Sequence, residues 1–178
     1  MVRYFNTTQI PLTNKAFSDA EKLVSRNFRI SEEQLKKNRY DVKTLAYLEQ
    51  HEIKEGAFAH LCKYAYERPD SSAKQNKEGF HFYRICLQDN IILDAVERAN
   101  SFIKFNPLML YIAAHELIHV LRFSSGEIDF DASVEKKEQE EVIVHNLTKV
   151  ALQSARHHDL DIVLDCFSSN FKIYDLYN

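Results

Sequence analysis

The chain has 178 residues and a formal net charge of −3, with 45% hydrophobic and 28% charged residues. Its length suits one globular domain, and its charge gives no electrostatic reason to expect nucleic acid or an anionic membrane as the main partner. Only 3 glycines and 3 prolines occur, which favours a mostly helical chain.

The cysteine spacing and the apolar runs indicate the cellular compartment in which the protein is expected. Cys62, Cys86 and Cys166 are far apart, odd in number and without CxxC spacing, which argues against a disulfide framework and against a zinc site built from cysteine. The N-terminus has no apolar run of the signal-peptide kind, and the longest apolar run, residues 107–114, is too short to span a bilayer. We therefore expect a soluble protein of the reducing cytoplasm.

The N-terminal part, residues 1–70, is predicted to be helical. A helix is expected from about Asn14, and a second one follows Ser31, whose spacing to Gln34 is that of a capping box. Helical patterning continues over residues 42–67. We expect this part of the chain to pack behind or beside the functional site and to form one wall of its cleft.

The pattern changes after residues 68–79, whose Pro, Ser, Asn and Gly indicate a loop. Residues 80–87 and 90–96 are rich in aromatic and β-branched side chains, and Gln88 and Asp89 separate them. This predicts a short β-hairpin or a strand with a tight bend. Three more helices are predicted, over residues 106–123, 133–156 and 159–167.

The predicted fold class is therefore α+β: a mostly helical single domain with a small sheet next to the helix at residues 106–123. Residues 80–156 would form its core, and residues 157–178 a C-terminal helix and tail. No internal repeat or low-complexity linker divides the chain.

The helix at residues 106–123 carries the sequence HELIH. His115 and His119 are four residues apart, so in an α-helix they lie on one face, one turn apart, and can direct two imidazoles at one metal ion. Glu116 is rotated by about 100° from His115 and is placed to take a proton from a metal-bound water. This is the physical logic of the HExxH motif of zinc peptidases.

The residues before the motif favour a metal site. Residues 108–114 are apolar apart from one tyrosine hydroxyl, and a helix that is apolar on nearly all sides is usually buried. Burying Glu116 and two histidines without partners would cost several kcal/mol, and a metal ion would supply the partner. The alternative is a core helix whose histidines bind backbone carbonyls and whose Glu116 pairs with Arg122.

A second stretch, HEIKE at residues 51–55, begins in the same way. It has Glu55 at the position where the motif requires a second histidine. We interpret this stretch as an exposed helix face rather than as a metal site.

A catalytic zinc ion takes three protein ligands and keeps a fourth position for water. The acidic candidates downstream of the motif are Asp129, Asp131, Glu135, Glu138, Glu140 and Glu141. The buried face of the next helix is predicted from Ile143, Val144, Leu147, Val150 and Ala151. Glu140 falls about 30° from the centre of that face and Glu141 about 130° away. We expect Glu140 as the third ligand and Glu141 as the second choice, with Glu138 and Asp131 as further alternatives; otherwise these acids only solvate the helix start.

At this point the sequence resembles a family. "YIAAHELIHVLRF", followed some twenty residues later by "EQEEVIVHNLTKVAL", is similar to the zincin metallopeptidases of the gluzincin type. It most resembles the small bacterial and phage-associated members related to the ImmA/IrrE group. "FYRICLQDNIIL" looks like the edge strand that borders the cleft in that fold. The resemblance covers about residues 80–156.

By position, the resemblance implies Zn²⁺ held by His115, His119 and Glu140. Glu116 would be the general base and then the acid that protonates the leaving amine. Such enzymes often add a side chain that steadies the oxyanion, and the candidates here are Tyr83, Tyr111, His145, His157 and His158. The adjacent pair at 157 and 158 is better interpreted as positive charge at a helix C-terminus.

The predicted function is that of a zinc-dependent peptidase acting on a peptide or protein substrate. A dedicated regulatory protein is a plausible further partner, because no separate substrate-binding domain is evident. Two alternatives belong to other classes: a catalytically silent, metal-stabilised regulatory or interaction module, and a helical adaptor without metal.

Overall fold

The structure is a computed structural model that describes residues 1–66 and 80–167. In these residues the chain forms six α-helices and three β-strands, with single turns of 3₁₀-helix between some of them. The fold class is α+β, as predicted. The elements in chain order are α1 (Gln9–Phe28), α2 (Glu32–Lys36), β1 (Tyr40–Lys43), β2 (Ala59–Tyr66), β3 (Phe80–Leu87), α3 (Asp89–Arg98), α4 (Phe105–Ser124), α5 (Val134–Ala151) and α6 (His158–Cys166).

The three strands form one mixed sheet in the order β1, β3, β2. β1 runs parallel to β3 and pairs Val42 with Ile85. β2 runs antiparallel to β3 and pairs Leu61 with the same residue. The expectation that β3 is an edge strand is wrong, because it is hydrogen-bonded on both sides and β1 and β2 form the edges.

The prediction of a wholly helical N-terminal part is also wrong. The capping box at the start of α2 is confirmed: the Gln34 N–H donates to Ser31 Oγ over 3.1 Å, and the Ser31 N–H donates to Gln34 Oε1 over 2.8 Å. Residues 40–66, however, hold β1, two 3₁₀ turns and β2. Pairing with β3 overrides the helical propensity of these residues, and Gly56 lies in the left-handed region with φ of 74°.

The HEIKE stretch is not an exposed helix face. Its first residues belong to a 3₁₀ turn, Gln50–Glu52, and Glu52 is completely buried. His51 and Glu55 are exposed, as expected.

Residues 90–96 were expected to form a strand, and they form most of α3 instead. Asp89, interpreted as a turn residue, is 1% exposed and begins this helix. Its carboxylate accepts hydrogen bonds of 2.9 Å from the backbone N–H groups of Phe5 and Leu45. An acidic residue in the first turn also favours a helix, so Asp89 both starts α3 and ties it to two other segments.

α4 passes through the centre of the molecule and packs against α1, α5, α6 and β2. It begins at Phe105, one residue before the predicted Asn106, and ends at Ser124. Gly126 follows it with φ of 73°, the left-handed conformation typical just after a helix. The residues of α4 that form the core are Leu108, Met109, Tyr111, Ile112, Ala113, Ala114, Leu117, Ile118 and Val120.

Some predictions concern the ends of the described segments. The loop expected at residues 68–79 and the tail from residue 168 onward lie outside the described residues. α5 ends at Ala151, earlier than the predicted residue 156. Among the described residues, no helix combines the length and the apolar character needed to cross a membrane.

Candidate metal centre

The HELIH sequence lies in the second half of α4, with its two histidines on one face. His115 Nε2 and His119 Nε2 are 3.2 Å apart, and the two rings meet edge to face at 75°. His119 is buried, and the side chain of His115 is 14% exposed. One helical turn thus brings both imidazoles to a single point, as predicted from their spacing.

Glu141 on α5 completes this cluster. Its Oε2 lies 3.1 Å from His115 Nε2, and its Oε1 lies 3.2 Å from His119 Nε2. Desolvation would raise the pKa of this carboxyl, but the hydrogen bonds and positive charges of the two imidazoles lower it well below its usual range. The carboxylate is therefore ionised at neutral pH and faces both histidines.

The geometry brings Glu141, and not the expected third ligand Glu140, to the two histidines. Glu140 is buried, as the helical periodicity predicted, but Arg122 on α4 binds it. Arg122 Nε donates to Oε1 over 2.6 Å, and Nη2 donates to Oε2 over 3.0 Å. Because both carboxylate oxygens are engaged by one guanidinium, Glu140 is held away from the two histidines.

Three residues, His115, His119 and Glu141, form the donor triangle: they contact one another at 3.1, 3.2 and 3.2 Å through the two imidazole Nε2 atoms and both carboxylate oxygens of Glu141. Four-coordinate zinc with bonds of about 2.0–2.2 Å separates neighbouring donors by about 3.3–3.6 Å. Hydrogen bonds alone cannot satisfy all three contacts. If both imidazole Nε2–H groups donate to the Glu141 carboxylate, two N–H groups face each other across the 3.2 Å between His115 and His119, and neither can accept from the other. The donor set therefore fits a divalent cation at its centre.

Glu116 is buried in the same part of α4, with 8% exposure. Burial raises the pKa of its carboxyl to about 7; the positive charge of His115 opposes this, the negative charge of Glu141 adds to it, and Lys54 opposes it. The alternative pairing with Arg122 is not found, since that guanidinium binds Glu140 and Glu127.

Tyr111 and His145 lie behind His115. The Tyr111 hydroxyl is 3.5 Å from His115 Nδ1 and 2.9 Å from His145 Nδ1. Burial and the positive charges of His115 and Lys149 lower the pKa of His145 to about 4, so its ring is neutral at pH 7. Both residues were predicted as oxyanion candidates, and the structure brings them to the ring of a proposed ligand.

An aromatic stack borders the other histidine. Phe123 stacks on His119 at 5.8 Å, and Tyr83 stacks on Phe123 at 6.2 Å. Phe130 closes the group, with its ring 5.1 Å from that of Phe123. The oxyanion candidate Tyr83 thus belongs to an apolar wall that fixes the orientation of His119.

The remaining candidates lie elsewhere. Asp131 and Glu138 are exposed and make no ion pair with the two histidines in the described part of the chain. His157 and His158 stand at the N-terminus of α6, not at a helix C-terminus as predicted. His157 lines a surface groove of about 490 Å³ together with Lys104 and Asp159, and none of the three residues of the candidate metal centre lines it.

Sequence reasoning ranked Glu141 second and did not connect Tyr111 with His145. A usable sequence signal existed, because Glu141 and His145 are four residues apart on α5 and therefore share a face.

The chain was also compared with protein-family models, with curated proteins and with solved structures, and nothing matched in any of the three.

Proposed function

We propose that the protein is a zinc-dependent peptidase, with His115, His119 and Glu141 as the metal ligands. The observation that carries this proposal is the donor triangle, whose three residues contact one another at 3.1–3.2 Å, close to the separation of donors around one tetrahedral ion. Three protein ligands leave a fourth position for water, which distinguishes a catalytic site from a structural one. Zinc bound there would lower the pKa of a water molecule and polarise the carbonyl of a peptide bond.

Glu116 is the proposed general base and acid. It follows His115 directly on α4, so its carboxyl lies beside the donor triangle rather than within it. Its raised pKa, about 7 in the absence of metal, suits a group that accepts a proton and later returns it. In the proposed reaction Glu116 accepts a proton from the attacking water and delivers it to the leaving amine.

Tyr111 and His145 are proposed to orient His115. A neutral His115 that offers Nε2 to a metal carries its proton on Nδ1, where it can be donated to the Tyr111 oxygen. The Tyr111 hydroxyl then donates its own proton to His145 Nδ1 over 2.9 Å. Such partners of a metal-binding histidine select its tautomer and hold its ring in place.

The proposed substrate is a peptide bond in a protein or peptide, and the proposed further partner is a dedicated regulatory protein. The proposed compartment is the cytoplasm, because the three cysteines are free thiols in the structure and a reducing environment keeps them so. The Glu141 side chain is 60% exposed, so solvent can reach the donor triangle beside its carboxylate.

The experiment that tests this function combines metal analysis with the Glu116→Gln variant. Wild-type protein purified without chelator or added zinc should hold zinc at this site and cleave unfolded, labelled protein. Glu116→Gln should retain the zinc and lose cleavage by roughly 100- to 10,000-fold, whereas the exposed control Glu138→Gln should behave like the wild type.

The possible results separate the proposed classes. Less than one equivalent of zinc at the HELIH site, measured as the zinc that a His115→Ala/His119→Ala variant loses relative to the wild type, overturns the peptidase proposal. Unchanged cleavage by Glu116→Gln overturns the mechanism. A full complement of zinc with no cleavage of unfolded protein, peptides or candidate partners would instead support a silent, metal-stabilised interaction module.

A further inference from the structure

A second group of side chains of the types that bind metal ions lies on the sheet, far from HELIH in sequence. His60 and Cys62 come from β2, and Cys86 comes from β3. The register pairs His60 with Cys86 directly and Cys62 with Arg84, so these side chains share one face of the sheet. On β3 the alternate residues, Tyr83, Ile85 and Leu87, belong to the helical core. The three-residue group therefore lies on the outer face, turned away from that core.

The distances in this group are short. Cys86 Sγ lies 3.8 Å from Cys62 Sγ, and Cys62 Sγ lies 3.5 Å from His60 Nε2. The three ligand atoms are within 4.8 Å of one another. A tetrahedral zinc ion with Zn–S bonds of 2.3 Å and a Zn–N bond of 2.0–2.1 Å separates two sulfurs by about 3.8 Å and a sulfur from a nitrogen by about 3.6 Å. The two closest contacts thus have the lengths that zinc coordination would impose.

We propose that His60, Cys62 and Cys86 form a second metal site, which binds Zn²⁺ through two thiolates and one imidazole. Thiolate ligands favour zinc over hard cations such as Mg²⁺ and Ca²⁺. Binding releases the two thiol protons to solvent, because sulfur coordinates as the thiolate. The cysteine spacing in the sequence argued against such a site, and the antiparallel pairing of β2 with β3 creates it.

The hydrogen bonds within the group are weak contacts to sulfur, which coordination of a metal ion by His60 Nε2 and the two sulfurs would replace. The Cys86 thiol has one proton to share between Cys62 Sγ and the carbonyl of Arg84, at 3.8 and 3.7 Å. Cys86 is buried, and the other two residues are half-buried, so the group is partly accessible to solvent.

The charges beside the group suit a neutral complex. Arg84 is already paired with Asp41 and Glu52 at 3.0 Å each. Tyr64 and the backbone N–H of Glu49 also donate to the Glu52 carboxylate. One Zn²⁺ ion bound by two thiolates adds no net charge to the site. Because the Glu52 carboxylate already accepts hydrogen bonds from three donors, the fourth coordination position of the zinc ion is left to water or to a ligand from outside the chain.

The test uses the complete, reduced protein and Co²⁺, which replaces Zn²⁺ and whose thiolate complexes absorb in the near ultraviolet. The wild type should show this sulfur-to-cobalt band, and added Zn²⁺ should abolish it. The band should persist in a His115→Ala/His119→Ala variant, because the two sites share no residue. It should persist as well in Cys166→Ser, the matched control for removing a thiol outside the group.

Cys62→Ser and Cys86→Ser should each lose the band and one equivalent of zinc, and His60→Ala should weaken cobalt binding at least about tenfold. Circular dichroism checks that each variant is folded. No band in the folded, reduced wild type overturns the proposal without any variant. A band that survives in Cys62→Ser/Cys86→Ser overturns it too, as does a Cys62–Cys86 disulfide that persists under reductant and excludes cobalt.

Discussion

Arg122 on α4 holds Glu140 on α5 through two hydrogen bonds of 2.6 and 3.0 Å. The Arg122 side chain is 12% exposed and that of Glu140 is 4% exposed, so this is a nearly buried ion pair between the two helices of the candidate site. It leaves Glu141, the next residue along the chain, to face the histidines.

The first prediction separates these two neighbours. Glu141→Gln should lose one equivalent of zinc relative to the wild type and should lower the stability of the metal-free protein less than Glu140→Gln does, because its side chain is 60% exposed. Glu140→Gln should keep that zinc but lower the free energy of unfolding by about 3 kcal/mol, because it leaves a nearly buried guanidinium without its main partner. Metal analysis and urea denaturation of both variants measure the two effects.

The reverse result would restore the original choice of Glu140. Zinc lost from Glu140→Gln and kept by Glu141→Gln would mean that the carboxylates exchange places when metal binds. Glu127→Gln is the control, because it removes a more exposed partner of Arg122 and should lower stability less than Glu140→Gln.

Glu140 shows which structural features helical periodicity can predict and which it cannot. The pattern predicted correctly that Glu140 is buried, although two residues used to define the face, Ile143 and Val150, are exposed at 43% and 55%. What a buried carboxylate binds depends on the neighbouring helix, and no spacing within α5 shows that Arg122 lies opposite it. The closeness of His115 and His119 was predictable because one helical turn determines their relative positions.

The sheet is a second feature that local sequence patterns did not predict. Residues 59–66 were assigned to a helix from local composition, and β2 exists because β3 pairs with it along eight residues. That pairing also brings together Cys62 and Cys86, which are 24 positions apart. Contacts made by long-range pairing have no local signal, whereas the capping box at Ser31 is local and was predicted correctly.

The second prediction concerns the residue behind His115. Tyr111→Phe removes the hydroxyl between His115 and His145 but keeps the ring that stacks on Phe167 at 4.7 Å. The variant should fold normally and bind zinc at the HELIH site about 10- to 100-fold more weakly, because His115 loses the partner that sets its tautomer. Competition with a zinc-binding dye measures the affinity.

Tyr83→Phe is the matched control for this variant. Its hydroxyl also belongs to a buried tyrosine beside the site, yet that ring contacts Phe123 and Phe130 rather than a histidine. Equal loss of zinc affinity in the two variants would show that general packing, and not the Tyr111 hydroxyl, governs the affinity.

The third prediction is that zinc stabilises the fold through the HELIH site. Zinc at 100 times its dissociation constant should raise the free energy of unfolding by about 2.7 kcal/mol, which corresponds to about 5–10 °C in the thermal midpoint of a chain of this size. The measurement is best made in Cys62→Ser, so that only the HELIH site responds. Adding Glu141→Gln to this background should abolish the shift, and a shift that survives would place the stabilising metal elsewhere.

The fourth prediction concerns Glu52, which stands in the HEIKE stretch and is completely buried. Burial alone would raise the pKa of its carboxyl, but hydrogen bonds from Tyr64, the Glu49 N–H and Arg84, with the charge of Arg84, lower it to about 2 from an ordinary value of 4.5. Its contribution to stability is therefore complete above pH 4.5 and is lost as the pH falls from there toward 2.

Glu52→Gln should consequently be destabilised by about 3 kcal/mol at neutral pH, because Arg84 loses its buried partner. The gap between this variant and the wild type should narrow as the pH falls from 4.5 toward 2, since the wild-type carboxylate then takes up a proton. Urea denaturation at several pH values measures the gap. Glu55→Gln, an exposed change in the same stretch, should differ little from the wild type throughout, and a constant Glu52→Gln gap would contradict the role of the charge.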